Sequence, residues 1–168
     1  MKKIIKDFIL NHSLIMKKMQ ECEHSYSMVH KNPYHLEGDV WAHTMLVCKN
    51  LENEIKELKY SGLLHDIGKP ISKKIDDIRK RVTFYGHENL SLYKSIAILD
   101  KIEELTLEEK INILLLISKH SDLQRKTKEE IEKKFINNKE LFKMVHTFFI
   151  ADNDGKITME DMPKVKIE

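Results

Sequence analysis

The chain has 168 residues, 41% of them hydrophobic and 33% charged, with a formal net charge of +2. That is enough chain to bury a core in one domain spanning residues 1–168, and too little net charge for tight general binding to a nucleic-acid backbone. The two cysteines, Cys22 and Cys48, lack CxxC spacing, which excludes a disulfide framework and points to a reducing, cytoplasmic setting.

The opening MKKIIKDFIL does not read as a secretion signal, because Lys6 and Asp7 interrupt its apolar part. No stretch approaches the roughly 20 apolar residues of a membrane span. Ile5, Phe8, Ile9, Ile15, Met16 and Met19 recur at helical spacing and predict an N-terminal extension over residues 1–22 as one or two amphipathic helices. The polar stretch ECEHSYSMVHKNPYHLEG, broken by Pro33 and Gly38, reads as loop. Asp39 is the expected N-cap of a helix running to Leu58, and a second helix carries LKYSGLLHDI to a stop at Gly68 and Pro70. One short β-hairpin near residues 71–85 is credible, with RVTFY as a strand and Asp76-Asp77 at its turn. A helix from His87 to Asp100 follows, its inner face expected at Leu90, Lys94, Ala97 and Ile98. Thr106 with Glu109 and Thr127 with Glu130 each form the pattern of a capping box, and a last helix spans Asn138 to Ala151. The tail KITMEDMPKVKIE has no strong periodicity, and the runs Lys73-Lys74 and Lys133-Lys134 read as solvated faces. The fold class is all-α.

Periodicity sorts the nine histidines. His12, His24, His30 and His146 lie in polar or mixed surroundings and are expected at the surface. His43 falls on the stripe Val40, Val47, Leu51, and His120 ends the stripe Ile113, Leu116, Ile117. Asp152 continues Leu141, Val145 and Phe148. His65 and Asp66 close the apolar run of Leu63 and Leu64, and His87 opens a helix after the turn-like FYG. A lone histidine on an apolar face is usually a hydrogen-bonded core residue. Several helices each aiming one imidazole or carboxylate inward suggest instead a shared cation. Mixed His and Asp donors suit Mn, Fe, Co, Ni or Zn, one or two ions, with Mg at the carboxylate-rich end.

His43 in VWAHTMLV, His65-Asp66 in LLHDIGK and Asp152 in FFIADNDG, in that order, resemble the HD-domain superfamily of metal-dependent phosphohydrolases over about residues 32–154. The resemblance implies an HD-type helical bundle with His43, His65, Asp66 and Asp152 as ligands of a first metal. It also implies His87 and His120 as ligands of a second, with Asp66 bridging. PYHLEGDVWAHT, LLHDIGKP and FYGHE look like the HD domain attached to bacterial tRNA nucleotidyltransferases (CCA-adding enzymes), here without the nucleotidyltransferase head. That likeness implies 2′,3′-cyclic phosphodiesterase and phosphatase activity on a nucleotide or an RNA end.

The sequence holds no GxSxG elbow and no P-loop, so a metal-bound water attacking phosphorus in line is the economical mechanism, with Asp66 at its centre. Lys69 follows the His-Asp pair and is either a cation for the substrate phosphate or a solvent-exposed lysine at a helix end. His35, with Glu37, is a candidate proton donor to the leaving oxygen or a loop residue packing on Trp41 or Tyr34. An EF-hand reading of ADNDGKITMED fails, because the first ligand position would fall on Ile150. The alternatives are a nucleotidase or dinucleoside polyphosphate hydrolase acting on free nucleotides, a non-catalytic metal-containing regulatory module, and an oxygenase using similar ligands.

Overall fold

The computed structural model describes residues 1–121, 127–135 and 137–161. The end of the charged tail, at 162–168, and the side chain of Lys134 lie outside the described residues. The elements in chain order are α1 (Lys2–Asn11), α2 (Ser13–Gln20), α3 (Val40–Asn50), α4 (Lys56–Leu64), α5 (Lys69–Ser72), β1 (Lys74–Asp76), β2 (Arg81–Thr83), α6 (His87–Asp100), α7 (Leu107–Lys119), α8 (Lys128–Lys134) and α9 (Lys139–Asn153). This is the expected helical bundle with one small hairpin. Among the described residues no helix is long and apolar enough to cross a membrane.

The centre of the bundle is α4, which packs against α3, α6, α7 and α9. From Leu58 onward its residues are almost all buried, including Ser61 and Gly62. A side chain at Gly62 would strike Leu51, so the glycine lets α3 and α4 approach closely. The other core helices present the stripes read from sequence. His43 and Val47 are buried on α3, Ile113, Leu116 and Ile117 on α7, and Leu141, Val145, Phe148 and Asp152 on α9.

Capping follows the local chemistry. Asp39 accepts a hydrogen bond from the Ala42 amide at 2.8 Å, and both Thr-Glu capping boxes are formed. The hairpin pairs Ile75 with Val82, and its turn is held by Asp76 Oδ1 accepting from the Arg79 amide at 2.9 Å.

Two expectations are corrected. The helix from Asp39 does not run to Leu58; it ends at Asn50, and α4 starts afresh at Lys56. No Gly or Pro dictates that break. Leu51 and Leu58 both join the cluster around Val145 and Phe148, and the Asn50 side-chain amide ties the end of α3 to the Ala151 carbonyl at 3.0 Å. One continuous helix would hold His43 and His65 about 33 Å apart, at about 1.5 Å per residue. The reversal is what lets them meet. The second correction concerns α6, whose buried face is Ser91, Ser95, Ile98 and Leu99, while Ala97 is exposed. Serine replaces larger residues there because the backbones come close: the Gly68 amide donates to Ser91 Oγ at 2.9 Å.

Candidate metal centre

The ends of the helices carry the site. His65 is the C-cap of α4 and His120 the C-cap of α7, while His87 is the first residue of α6. In each of these three the ring Nδ1 donates to the carbonyl three residues back, Gly62 at 2.9 Å, Ile117 at 2.6 Å and Phe84 at 2.8 Å. That local bond fixes the tautomer and, in the neutral ring, leaves Nε2 as a bare lone pair. His43, in mid-helix, reaches the same state differently. Its Nδ1 faces Glu37 Oε1 at 3.1 Å and the Gly155 carbonyl at 3.3 Å.

The four Nε2 atoms converge on two carboxylates. Asp66 Oδ2 lies 3.2 Å from His65 Nε2 and 3.9 Å from His43 Nε2. Its Oδ1 lies 3.3 Å from His87 Nε2 and 3.9 Å from His120 Nε2. Asp152 Oδ1 sits 2.9 Å from His43 Nε2 and 3.5 Å from His65 Nε2. His87 and His120 set Nε2 against Nε2 at 3.0 Å. Lone pairs therefore face lone pairs and carboxylates unless a proton or a cation stands between them. His65 Nε2 and both Asp66 oxygens are buried without an aligned hydrogen bond. The 2.6 Å approach of Lys69 Nζ to Asp66 Oδ2 is an ion pair by distance, not an aligned bond. Such orphaned atoms cost free energy unless a ligand satisfies them.

Residues 38–153 match the family model described as HD domain. The chain belongs to the HD-domain family. Neither the curated proteins nor the solved structures gave a significant match. The matched span takes in His43, His65, Asp66, His87, His120 and Asp152. HD domains are in general metal-dependent hydrolases, and the donor set of this HD domain fits divalent ions. Among the described residues three groups of donors lie close enough to hold an ion: His24, His35 and Glu37, and two built on Asp66, namely His43, His65 and Asp66, and Asp66, His87 and His120. Asp66 is common to the last two, one oxygen to each side.

Electrostatics of the HD domain support that fit. Burial would lower the His65 pKa, but the Asp66 charge and contacts to Asp152 and Asp66 overcome it and lift it to about 10. His43 is likewise raised against burial by Asp152 and Glu37. Burial resists ionisation of Asp66 and Asp152, yet their histidine neighbours, with Lys69 for Asp66, hold both carboxyls well below the usual range. His120, by contrast, is drawn down to about 4 by burial and the neighbouring His65. Without metal, the carboxylates thus retain protons on the His43 and His65 nitrogens that point at them.

Beside the cluster opens a cavity of about 250 Å³ whose lining includes His35, Asp66, Lys69, Phe84, His87 and Lys156. A larger hollow of about 500 Å³ between α1, α4 and the α6–α7 turn is lined by Phe8, Tyr60 and Ile98 and lies away from these donors. Lys69 is buried, so the solvent-exposed reading of it is wrong. His35 packs on neither Trp41, which stacks on Phe8, nor Tyr34, which is exposed. Instead its ring stacks on His24 at 4.3 Å, and its Nδ1 lies 2.7 Å from Glu37 Oε1.

The surface reading of His24 is also wrong: the residue is 1% exposed. Its neighbours in sequence are polar, and its burial comes from closure of the loop. The His24 amide donates to the Gly38 carbonyl at 3.1 Å, and Glu23 bridges to Asp39. No periodic signal marks such a residue. Glu37 has the same origin: it accepts from His35, His43 and, at 2.9 Å, the Ile157 amide. Arg81 pairs with Asp76 at 3.5 Å and Glu88 lies 3.3 Å from His87 Nδ1.

Proposed function

We propose that the chain is a phosphohydrolase acting on a phosphate ester of a nucleotide or an RNA end, of the 2′,3′-cyclic phosphodiesterase and phosphatase type, with two divalent metal ions. The observation that carries the reading is the convergence of four Nδ1-tethered imidazoles on Asp66 and Asp152, with one Asp66 oxygen toward each pair of histidines. His43, His65, Asp66 and Asp152 would hold the first ion, and His87, His120 and Asp66 the second. Mn, Fe, Co, Ni or Zn suits this nitrogen-rich set, with Mg weaker. Such a pair supplies Lewis acidity and a nucleophile at neutral pH.

The remaining work falls to the chain's own residues. Lys69, at the cavity wall, meets the phosphoryl group and offsets the charge that builds on it. His35 passes a proton to the leaving oxygen. Burial is the larger influence and lowers its pKa, and the hydrogen bond to Glu37 works against that shift. Phe84 lines the cavity beside Asp66 and Lys69. The likeness of PYHLEGDVWAHT, LLHDIGKP and FYGHE to the CCA-enzyme module supports the choice of cyclic and terminal phosphates.

The test is hydrolysis of 2′,3′-cyclic nucleotides, nucleoside monophosphates, triphosphates and a dinucleoside polyphosphate by protein reconstituted with Mn, Ni, Co or Mg. Turnover of the cyclic and monophosphate substrates that disappears in Asp66→Ala is the expected result. Turnover confined to triphosphates or dinucleoside polyphosphates would replace the substrate class. Silence from a metal-loaded protein would remove the phosphohydrolase reading.

A further inference from the structure

His24 occupies a place that neither the ligand set nor the reaction requires. It is buried, stands outside the two donor groups that share Asp66, in a third with His35 and Glu37, and lines the same cavity as Lys69. Its Nδ1 lies 3.0 Å from the Gly38 carbonyl and can only donate to it, so Nε2 is the bare nitrogen. That nitrogen lies 3.2 Å from Lys69 Nζ. An ammonium has donors only, so Lys69 donates and His24 accepts. Phe84 completes the cradle. Its ring centroid is 5.5 Å from Lys69 Nζ, and it meets the His24 ring edge-on at 5.6 Å. One ammonium hydrogen thus has a direction, toward His24, while Asp66 holds the cation by charge at 2.6 Å.

The geometry points to His24 as a positioning residue: a neutral imidazole acceptor that holds the Lys69 ammonium at the cavity wall, so that a hydrogen left free meets the phosphoryl group. The inference rests on the phosphohydrolase reading. It has a specific physical need behind it. A lysine stem carries three to four rotatable bonds, and an ammonium next to Asp66 would otherwise have that carboxylate as its sole strong partner. Metal ions at Asp66 compete for the same oxygens. An uncharged acceptor on the opposite side lets Lys69 keep its place when they do, without neutralising its charge. A carboxylate at position 24 would hold the cation as well but would cancel the charge the substrate needs. The stacked His35 ring backs the His24 plane at 12° between rings and fixes its orientation.

A double-mutant cycle on the metal-loaded full chain tests this, with inorganic phosphate as the probe and calorimetry as the readout. His24→Leu and Lys69→Met should each weaken phosphate binding about tenfold, the scale of one hydrogen bond to a charged group. The double variant should be no weaker than Lys69→Met alone. His24→Gln, whose amide oxygen still accepts, should recover most of the loss, and metal stoichiometry should match wild type in all of them. Losses that multiply in the double variant would overturn the proposal, as would a His24→Leu that leaves phosphate binding unchanged. A second readout needs neither phosphate nor turnover. Nitrogen-15 spectra of the metal-free protein should show His24 protonated at Nδ1, with an Nε2 resonance that moves in Lys69→Met. If wild type binds no phosphate yet that resonance moves, the reaction assignment fails and the His24–Lys69 contact stands. If the resonance stays put, the positioning role is refuted.

Discussion

Titrating the metal-free protein with a divalent ion should expel protons as the ion enters. His65 is raised from 6.5 to about 10, and His43 is raised from the same ordinary value. Burial works against both shifts, so the carboxylates of Asp66 and Asp152 must outweigh it. Below pH 6.5 each ring carries a proton on the Nε2 that points at a carboxylate. A cation claiming those two lone pairs displaces both protons. Each released proton makes binding tighter by about 1.4 kcal/mol per pH unit. Two together give a rise of about a hundredfold in affinity per unit at pH values where both rings are charged. As His43 gives up its proton the slope falls to about tenfold, and it vanishes near the pH of about 10 where His65 does the same. Stability of the metal-free fold moves the other way. A raised histidine pKa stabilises fully below the unfolded value of 6.5, and that contribution is lost as pH climbs toward about 10. Metal-free protein should therefore weaken over that window while the metal-loaded form does not. Calorimetric metal titration in two buffers of different ionisation heat counts the protons directly. A release near zero at pH 6.5, or an affinity flat with pH, would refute the reasoning and put the histidines in a neutral, metal-independent arrangement.

Three substitutions probe separate parts of the centre. Glu37→Gln removes the anion behind His43 Nδ1 and leaves the donor geometry crowded at the Ile157 amide; metal affinity measured by competition with a chelator should fall about 10- to 100-fold. His87→Leu takes away one of two nitrogens held 3.0 Å apart. Metal-free stability in denaturant should stay within about 1 kcal/mol of wild type, because the relieved contact offsets the lost bond to Phe84, whereas one of the two ions should no longer bind. A loss of several kcal/mol without metal would mean that His87 is a structural hydrogen-bonding residue. Gly68→Ala should cost about 1–3 kcal/mol and distort the second half of the centre. Its new methyl would sit 2.5 Å from the His87 carbonyl and from the Ser91 amide, so α6 must shift. Thermal unfolding and metal stoichiometry together would show it.

The helices carrying His43, His120 and Asp152 were legible because each sets apolar residues in register with one polar residue, an arrangement that an ordinary solvated helix face does not produce. The His-Asp pair stood out by the opposite sign, as polar side chains closing an apolar run at Leu63-Leu64. What escaped was set by contacts between segments distant in sequence. The break after Asn50 has no local breaker and follows from packing of Leu51 and Leu58 into one cluster. On α6 the buried stripe includes Ser91 and Ser95, and a search for apolar residues passes over it in favour of Ala97. His24 sits among Glu23, Ser25 and Tyr26, and nothing local marks it as buried; the Gly38 carbonyl that fixes it lies fourteen positions away. The division of Asp66 into one oxygen for each pair of histidines is likewise a matter of three-dimensional placement.

The most direct test of a two-metal centre is an anomalous difference map from crystals of the Mn-loaded protein. Two peaks about 3.5–4 Å apart, one on each side of the Asp66 carboxylate, are the predicted result. One should lie among His43, His65 and Asp152, the other between His87 and His120. A single peak would reduce the centre to one ion, and no peak within reach of Asp66 would contradict the account outright.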